Sequence, residues 1–144
     1  MVRKANDLRV RLLTPFLLGA AALVLTGCEN SATAYQIEGR EHALILVREQ
    51  RLPFAAIEQF VVVSRLPVCQ RRWRIQEDGT PMTPMRVYHA GDLLWALEQK
   101  GRWYLATTED CKVQRWPNPN PQSLGPLVGT FQEKDGQVVF VAAQ

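Results

Sequence analysis

Histidine is scarce in this chain. There are two in 144 residues, His42 and His89, and neither lies near a cysteine in the sequence. No H-E-x-x-H and no paired metal-ligand spacing occurs, so the sequence offers no zinc site. The three cysteines, Cys28, Cys69 and Cys111, contain no C-x-x-C pair, which removes a thioredoxin-like redox motif. Serine is as sparse: Ser31, Ser64 and Ser123 sit in no G-x-S-x-G. A P-loop and a G-x-G-x-x-G are both missing. What is left for a hydrolase-type enzyme is two carboxylate pairs, Glu77–Asp78 and Glu109–Asp110, in expected turns where Asp favours the local geometry. Catalysis is therefore the least favoured class, and the two histidines read as strand-end or surface polar groups. The chain also has no charge run of five and no low-complexity block, which argues against wholesale disorder. With 47% apolar and 22% charged residues it has the composition of one globular domain.

Long apolar runs are missing too, with one informative near-exception. The segment TPFLLGAAALVL, 14–25, is apolar on every face from Phe16 on, which does not suit a surface helix. It is also too short to cross a bilayer of about 30 Å. Arg3, Lys4, Arg9 and Arg11 precede it and small residues follow, the pattern of a secretory signal peptide over residues 1–27. Leu25-Thr26-Gly27-Cys28 follows directly and resembles the bacterial lipobox, in which a branched apolar residue and two small residues precede an invariant cysteine. The resemblance implies a diacylglyceryl group on the Cys28 thiol, cleavage between Gly27 and Cys28, and acylation (palmitate-type) of the new amino group. No other cofactor and no metal is expected. Two or three acyl chains anchor far more firmly than one. By the same resemblance, Glu29 in place of an aspartate after the cysteine implies the outer membrane, facing the periplasm, over the inner membrane.

Cleavage changes the charge balance. The removed segment holds four of the 17 basic residues and one of the 14 acidic ones, leaving 13 of each and a formal net charge of zero. The sequence pI near 9.0 is thus largely a property of the signal peptide, and long-range steering toward nucleic acid loses its basis. The cysteine count resolves as well. With Cys28 taken by lipid, Cys69 and Cys111 are left in an oxidising compartment, where a structural disulfide is expected. Residues 28–34 read as a short lipidated tether, ENSATA after the cysteine, holding a single domain over 35–144.

That domain reads mainly as β. ALILV, 43–47, is an apolar run suited to a buried strand, with a helix from Glu41 as the competing reading. LPFAAIEQF, 52–60, suggests one or two helical turns after Pro53, with Phe54, Ile57 and Phe60 on one side. QFVVVSRL is strand-like through its β-branched centre, and CQRRWRIQ continues beyond Pro67, a sign of an edge or bulge. Turn residues then recur every eight to twelve positions through MRVYHA, LLWALE, RWYLATT and CKVQRW. PNPNPQSLGP, 117–126, cannot form ladders and reads as an exposed loop. LVGTFQEKDGQVVFV carries a hairpin signal at KDG. The expectation is a small antiparallel sandwich or barrel of about eight strands, with at most one short helix.

Strand alternation puts Gln70, Arg72 and Arg74 on one face of CQRRWRIQ, and Arg71, Trp73 and Ile75 on the other. It likewise groups Lys112, Gln114 and Trp116. A disulfide joining the two strands side by side would gather Gln70, Arg72, Arg74, Lys112, Gln114 and Trp116 into one polar patch. Arginine with glutamine and an aromatic suits phosphate or sugar recognition. The ordinary alternative is a solvated face whose arginines discourage edge aggregation. Trp95 and Trp103 read as core. Together with the lipobox, this is similar to small lipoproteins of Gram-negative envelopes. The resemblance carries no functional residues; the expectation drawn from the anchor and the patch is a lipid-anchored, non-enzymatic binding module for an anionic glycan, a glycolipid or an envelope protein. The alternatives are a structural accessory subunit docking through the proline loop, or an enzyme.

Overall fold

The computed structural model describes residues 28–144. The expected signal peptide, 1–27, with Gly27 at the cleavage position, lies outside the described residues. Ten strands follow one another: β1 (Asn30–Glu38), β2 (His42–Glu49), β3 (Ile57–Arg65), β4 (Cys69–Asp78), β5 (Met85–Gly91), β6 (Leu94–Gln99), β7 (Arg102–Thr107), β8 (Lys112–Arg115), β9 (Leu127–Lys134) and β10 (Gln137–Ala142). They build two antiparallel sheets, one of four strands ordered β1-β2-β3-β4 and one of six ordered β10-β9-β5-β6-β7-β8. The fold is a small β-sandwich, mainly β as expected, with ten strands rather than about eight.

Period-two alternation explains the layers. Leu44 and Leu46 of β2, Val61 and Val63 of β3, and Ile75 of β4 face inward and are buried. They meet Met85, Val87, Trp95, Leu97 and Phe131 of the second sheet in one core. Burying side chains of this size stabilises by about 1.5–3 kcal/mol each. The hairpin at KDG is present. Asp135 and Gly136 both have positive φ, +52° and +74°, and Lys134 pairs with Gln137. That is the backbone twist a two-residue hairpin needs, and glycine adopts it without steric cost.

The sandwich is closed along both seams. On one, Tyr35 of β1 stacks on Phe140 of β10 with ring centroids 4.7 Å apart, and the Thr33 hydroxyl donates to the Val138 carbonyl at 2.8 Å. On the other, the Cys69–Cys111 disulfide joins β4 to the turn before β8. The Trp73 indole N–H beside it donates to the Cys111 carbonyl at 2.8 Å. The disulfide expected from the cysteine count is therefore present.

Three local expectations change. Asn30–Ala34 is no tether; it is the first half of β1, paired residue by residue with β2 from Asn30↔Glu49 onward. Residues 52–56 form no helix: they are a turn leading into β3, where Ile57 faces the core and Phe60 the outer surface. Trp103 is not core. It pairs with Glu98 on the outer face of the six-stranded sheet, while Trp95 points inward.

Candidate functional site

The strand β4 alternates as the sequence implies through its middle; Arg71, expected on the inner face, is exposed, and the parity shifts at the end, where Asp78 is buried and Glu77 is not. Trp73 and Ile75 turn to the core side, and Gln70, Arg72 and Arg74 point out. The expected single patch nevertheless does not form. Strands β4 and β8 are edges of different sheets. The disulfide therefore links the two layers across the seam, and the outward faces of the two strands diverge. Arg72 lies over the Phe60 ring, 3.7 Å from its centroid, and pairs with Glu49 at 2.8 Å. Gln70 donates to the Ser64 hydroxyl at 3.4 Å. Lys112 pairs with Asp110 at 3.2 Å at the disulfide end. Trp116 packs edge-on against Trp103, which in turn lies against Tyr88, an aromatic row on the other layer.

Of the six, Gln114 shares one hollow with Lys112 on its own strand, and only Arg74 and Gln114 come together across the two strands. They line a cleft of about 380 Å³ along the β4–β8 seam, together with Gln76, Arg102, Tyr104 and Arg115. Tyr104 is buried and its hydroxyl accepts from the Gln76 backbone N–H at 3.2 Å, which holds the two layers at a fixed spacing there. Arg74 is compensated by Glu58 at 2.9 Å and Glu77 at 2.7 Å. Among the described residues, no carboxylate pairs with Arg102 or Arg115. The cleft is thus a basic groove with two amide side chains. Arg115 shares the parity of buried Val113 but is exposed, at the far end of the four-residue edge strand β8.

A second cluster lies at the end of the sandwich where β1 starts. Arg48 is fully buried, continuing the inward series of Leu44 and Leu46. Its guanidinium meets Glu29 at 2.7 Å, Asp78 at 3.2 Å and the Gly79 carbonyl at 2.8 Å. Asp78 is also held by Lys100 at 3.0 Å and by the Thr83 backbone N–H and hydroxyl at 2.7 and 3.0 Å. Burial by itself raises the Asp78 pKa, but the bonds from Thr83, Lys100 and Gly79 outweigh it and hold the carboxyl below its ordinary value. The partners of Arg48 stand 19 and 30 residues away, which is why no sequence motif announces them. Cys28 is exposed and outside the disulfide, beside this cluster and one residue before the clamped Glu29.

The histidines have other partners. His42 Nε2 is 2.9 Å from the Thr108 hydroxyl, and burial, with Arg65 nearby, pushes its pKa down against the pull of Glu38. His89 is exposed and sits edge-on to Trp95. Among the described residues no carboxylate bonds either ring, and no group of three His, Cys, Asp or Glu side chains is placed to hold a metal ion. The proline segment 117–126 joins β8, an edge strand, to β9 on the far side of β5, so it crosses the six-stranded sheet. It carries a short 3-10 turn, Pro121–Ser123, capped by the Asn120 side chain accepting from Gln122 N at 3.1 Å. No family model, no curated protein and no solved structure matches this chain.

Proposed function

We propose that the protein is a lipid-anchored component of a bacterial envelope, held at the outer membrane through Cys28 and facing the periplasm. In this reading its sandwich is a non-enzymatic module that binds an anionic group of an envelope glycan or glycolipid in the seam groove. The observation that carries the binding reading is the pair Arg102 and Arg115, free of carboxylate partners and set beside Gln76 and Gln114. Guanidinium forks match phosphate and carboxylate oxygens, and the amides suit sugar hydroxyls. Arg72, first in the sequence-based patch, supports this less well because Glu49 and Phe60 already occupy it. The anchor reading is supported by the lipobox and by an exposed Cys28 thiol at the start of the domain.

The test is retention of the processed protein on immobilised phosphorylated glycolipid. Arg102→Glu with Arg115→Glu should weaken retention by about tenfold or more, since hydrogen bonds to charged groups contribute about 1.5–3 kcal/mol each. Arg72→Glu serves as the control and should retain ligand. Equal retention by wild type and the double variant sinks the groove assignment.

A further inference from the structure

We infer that the loop Gln50–Ala56 is a second membrane contact, with Leu52 and Phe54 entering the same leaflet that holds the Cys28 lipid. The inference rests on the anchor reading above and adds to it an orientation for the domain. Phe54 is 95% exposed and Leu52 67% exposed, the two most exposed large apolar side chains among the described residues. Both sit on one loop. Phe54 also holds a positive φ of +65°, a conformation that is costly for a bulky residue. That φ suits the third position of the turn Leu52–Ala55, after Pro53, but a glycine would meet it at no cost, and the ring displayed there packs against almost nothing.

The loop is fixed to the residue that follows Cys28. The Gln50 backbone N–H donates to the Glu29 carbonyl at 2.8 Å. The Gln50 side-chain amide donates to the Ala55 carbonyl at 2.9 Å, and Ala55 N–H to the Leu52 carbonyl at 3.2 Å, which closes the loop on itself. The Glu29 carboxylate is in turn gripped by buried Arg48. With β1 starting at Asn30, no slack separates an acylated Cys28 from the folded domain. Any bilayer that takes the acyl chains therefore lies against the tips of Leu52 and Phe54. Arg51 beside them is exposed and pairs with Glu58, so a cation stands at headgroup level next to the apolar pair.

A protein partner is the other candidate occupant, and the area argues against it. Two such side chains offer on the order of 300 Å², against about 800 Å² per partner in a stable interface. A membrane contact beside a covalent anchor needs no such area, because the anchor has already brought the surfaces together. The consequence is an upright domain. The disulfide turn sits at the opposite end of the strands, roughly 30 Å away at 3.3 Å per residue. The groove residue Arg102 follows the Lys100–Gly101 turn at the Cys28 end, and so opens beside the headgroups.

The experiment uses the full chain, expressed, processed and purified with its disulfide intact, then reconstituted in phosphatidylethanolamine–phosphatidylglycerol vesicles. A fluorophore is attached at Pro53→Cys, between the two apolar residues, or at Val68→Cys in the β3–β4 turn at the opposite end. Intact mass reports Cys28 acylation in the same samples. The label at 53 should be quenched by tail-nitroxide lipid and reduced by aqueous dithionite at least about tenfold more slowly than the label at 68, the factor two inserted apolar side chains supply as a minimum. Adding Leu52→Ser and Phe54→Ser should return position 53 to the rate of position 68. Acylated protein with equal rates at 53 and 68 overturns the inference and leaves the anchor standing. Protection at 53 without tail-nitroxide quenching also overturns it, in favour of a contact between copies of this chain. Quenching at 53 with an unacylated Cys28 sinks the anchor reading but keeps the loop contact. An unacylated Cys28 with equal rates overturns both.

Discussion

Arg48→Met tests the buried cluster at the Cys28 end. The substitution keeps most of the apolar length of the side chain and deletes its contacts with Glu29, Asp78 and the Gly79 carbonyl. Removing one member of a buried pair costs about 3–5 kcal/mol, because the remaining charge is left in a poor solvent. Here the lower end applies. Asp78 keeps Lys100 and Thr83, and the Glu29 side chain is a quarter exposed and reaches water. For a domain of this size each kcal/mol moves the midpoint by about 4 °C, so Arg48→Met should lower Tm by roughly 12 °C. Thermal unfolding followed by circular dichroism measures it. Hydrogen exchange adds a local signature: amides at the start of β1 should lose protection before those of β3, since Glu29 ties that strand end down. A drop of less than about 4 °C, one kcal/mol on this scale, would mean that water already reaches the pair and that Arg48 is not a buried clamp. Arg48→Met with Asp78→Leu should recover part of the loss, because no orphaned charge is then buried.

The same cluster carries a pH dependence. The Asp78 carboxyl is held below its ordinary value of 3.8, so its contribution is complete above about pH 4 and is lost as pH falls through the lower folded value. The stability gap between wild type and Asp78→Asn should therefore be widest near neutrality and narrow in acid; a gap unchanged down to about pH 2 contradicts the assignment. Replacing Cys69 and Cys111 together by serine opens a loop spanning 42 positions and should cost about 4 kcal/mol in the chain-entropy account. Chemical denaturation reads this directly, and a loss under about 1 kcal/mol would mean that the Trp73 and Tyr104 bonds alone hold that seam.

Much of the fold is legible in the residues because alternation is local. CQRRWRIQ declares its inner and outer faces, KDG its hairpin, and the odd cysteine count its disulfide. Strand β1 is hidden because NSATAYQIE has few apolar residues in a row. Its strand character comes from the ladder with β2 and from Tyr35 reaching Phe140, neither of which a local pattern encodes. Arg48 is hidden for a related reason. At the end of ALILVR an arginine reads as the solvated tip of a strand, although its position two residues after Leu46 already places it on the inner face. The candidate site was half legible. The arginines of β4 were visible, but a disulfide between strands does not say whether they lie in one sheet or two. That choice decides which side chains share a surface, and it replaces Arg72 and Lys112 with Arg102 and Arg115 as the neighbours of Arg74.

Lipid attachment at Cys28 is read out by the intact mass of the protein extracted from membranes, with fragmentation of its N-terminal peptide. The expected chain begins at Cys28 and carries a thioether-linked diacylglyceryl group with an acylated amino terminus. A mature chain beginning at any other residue, or a free thiol at Cys28, would contradict it.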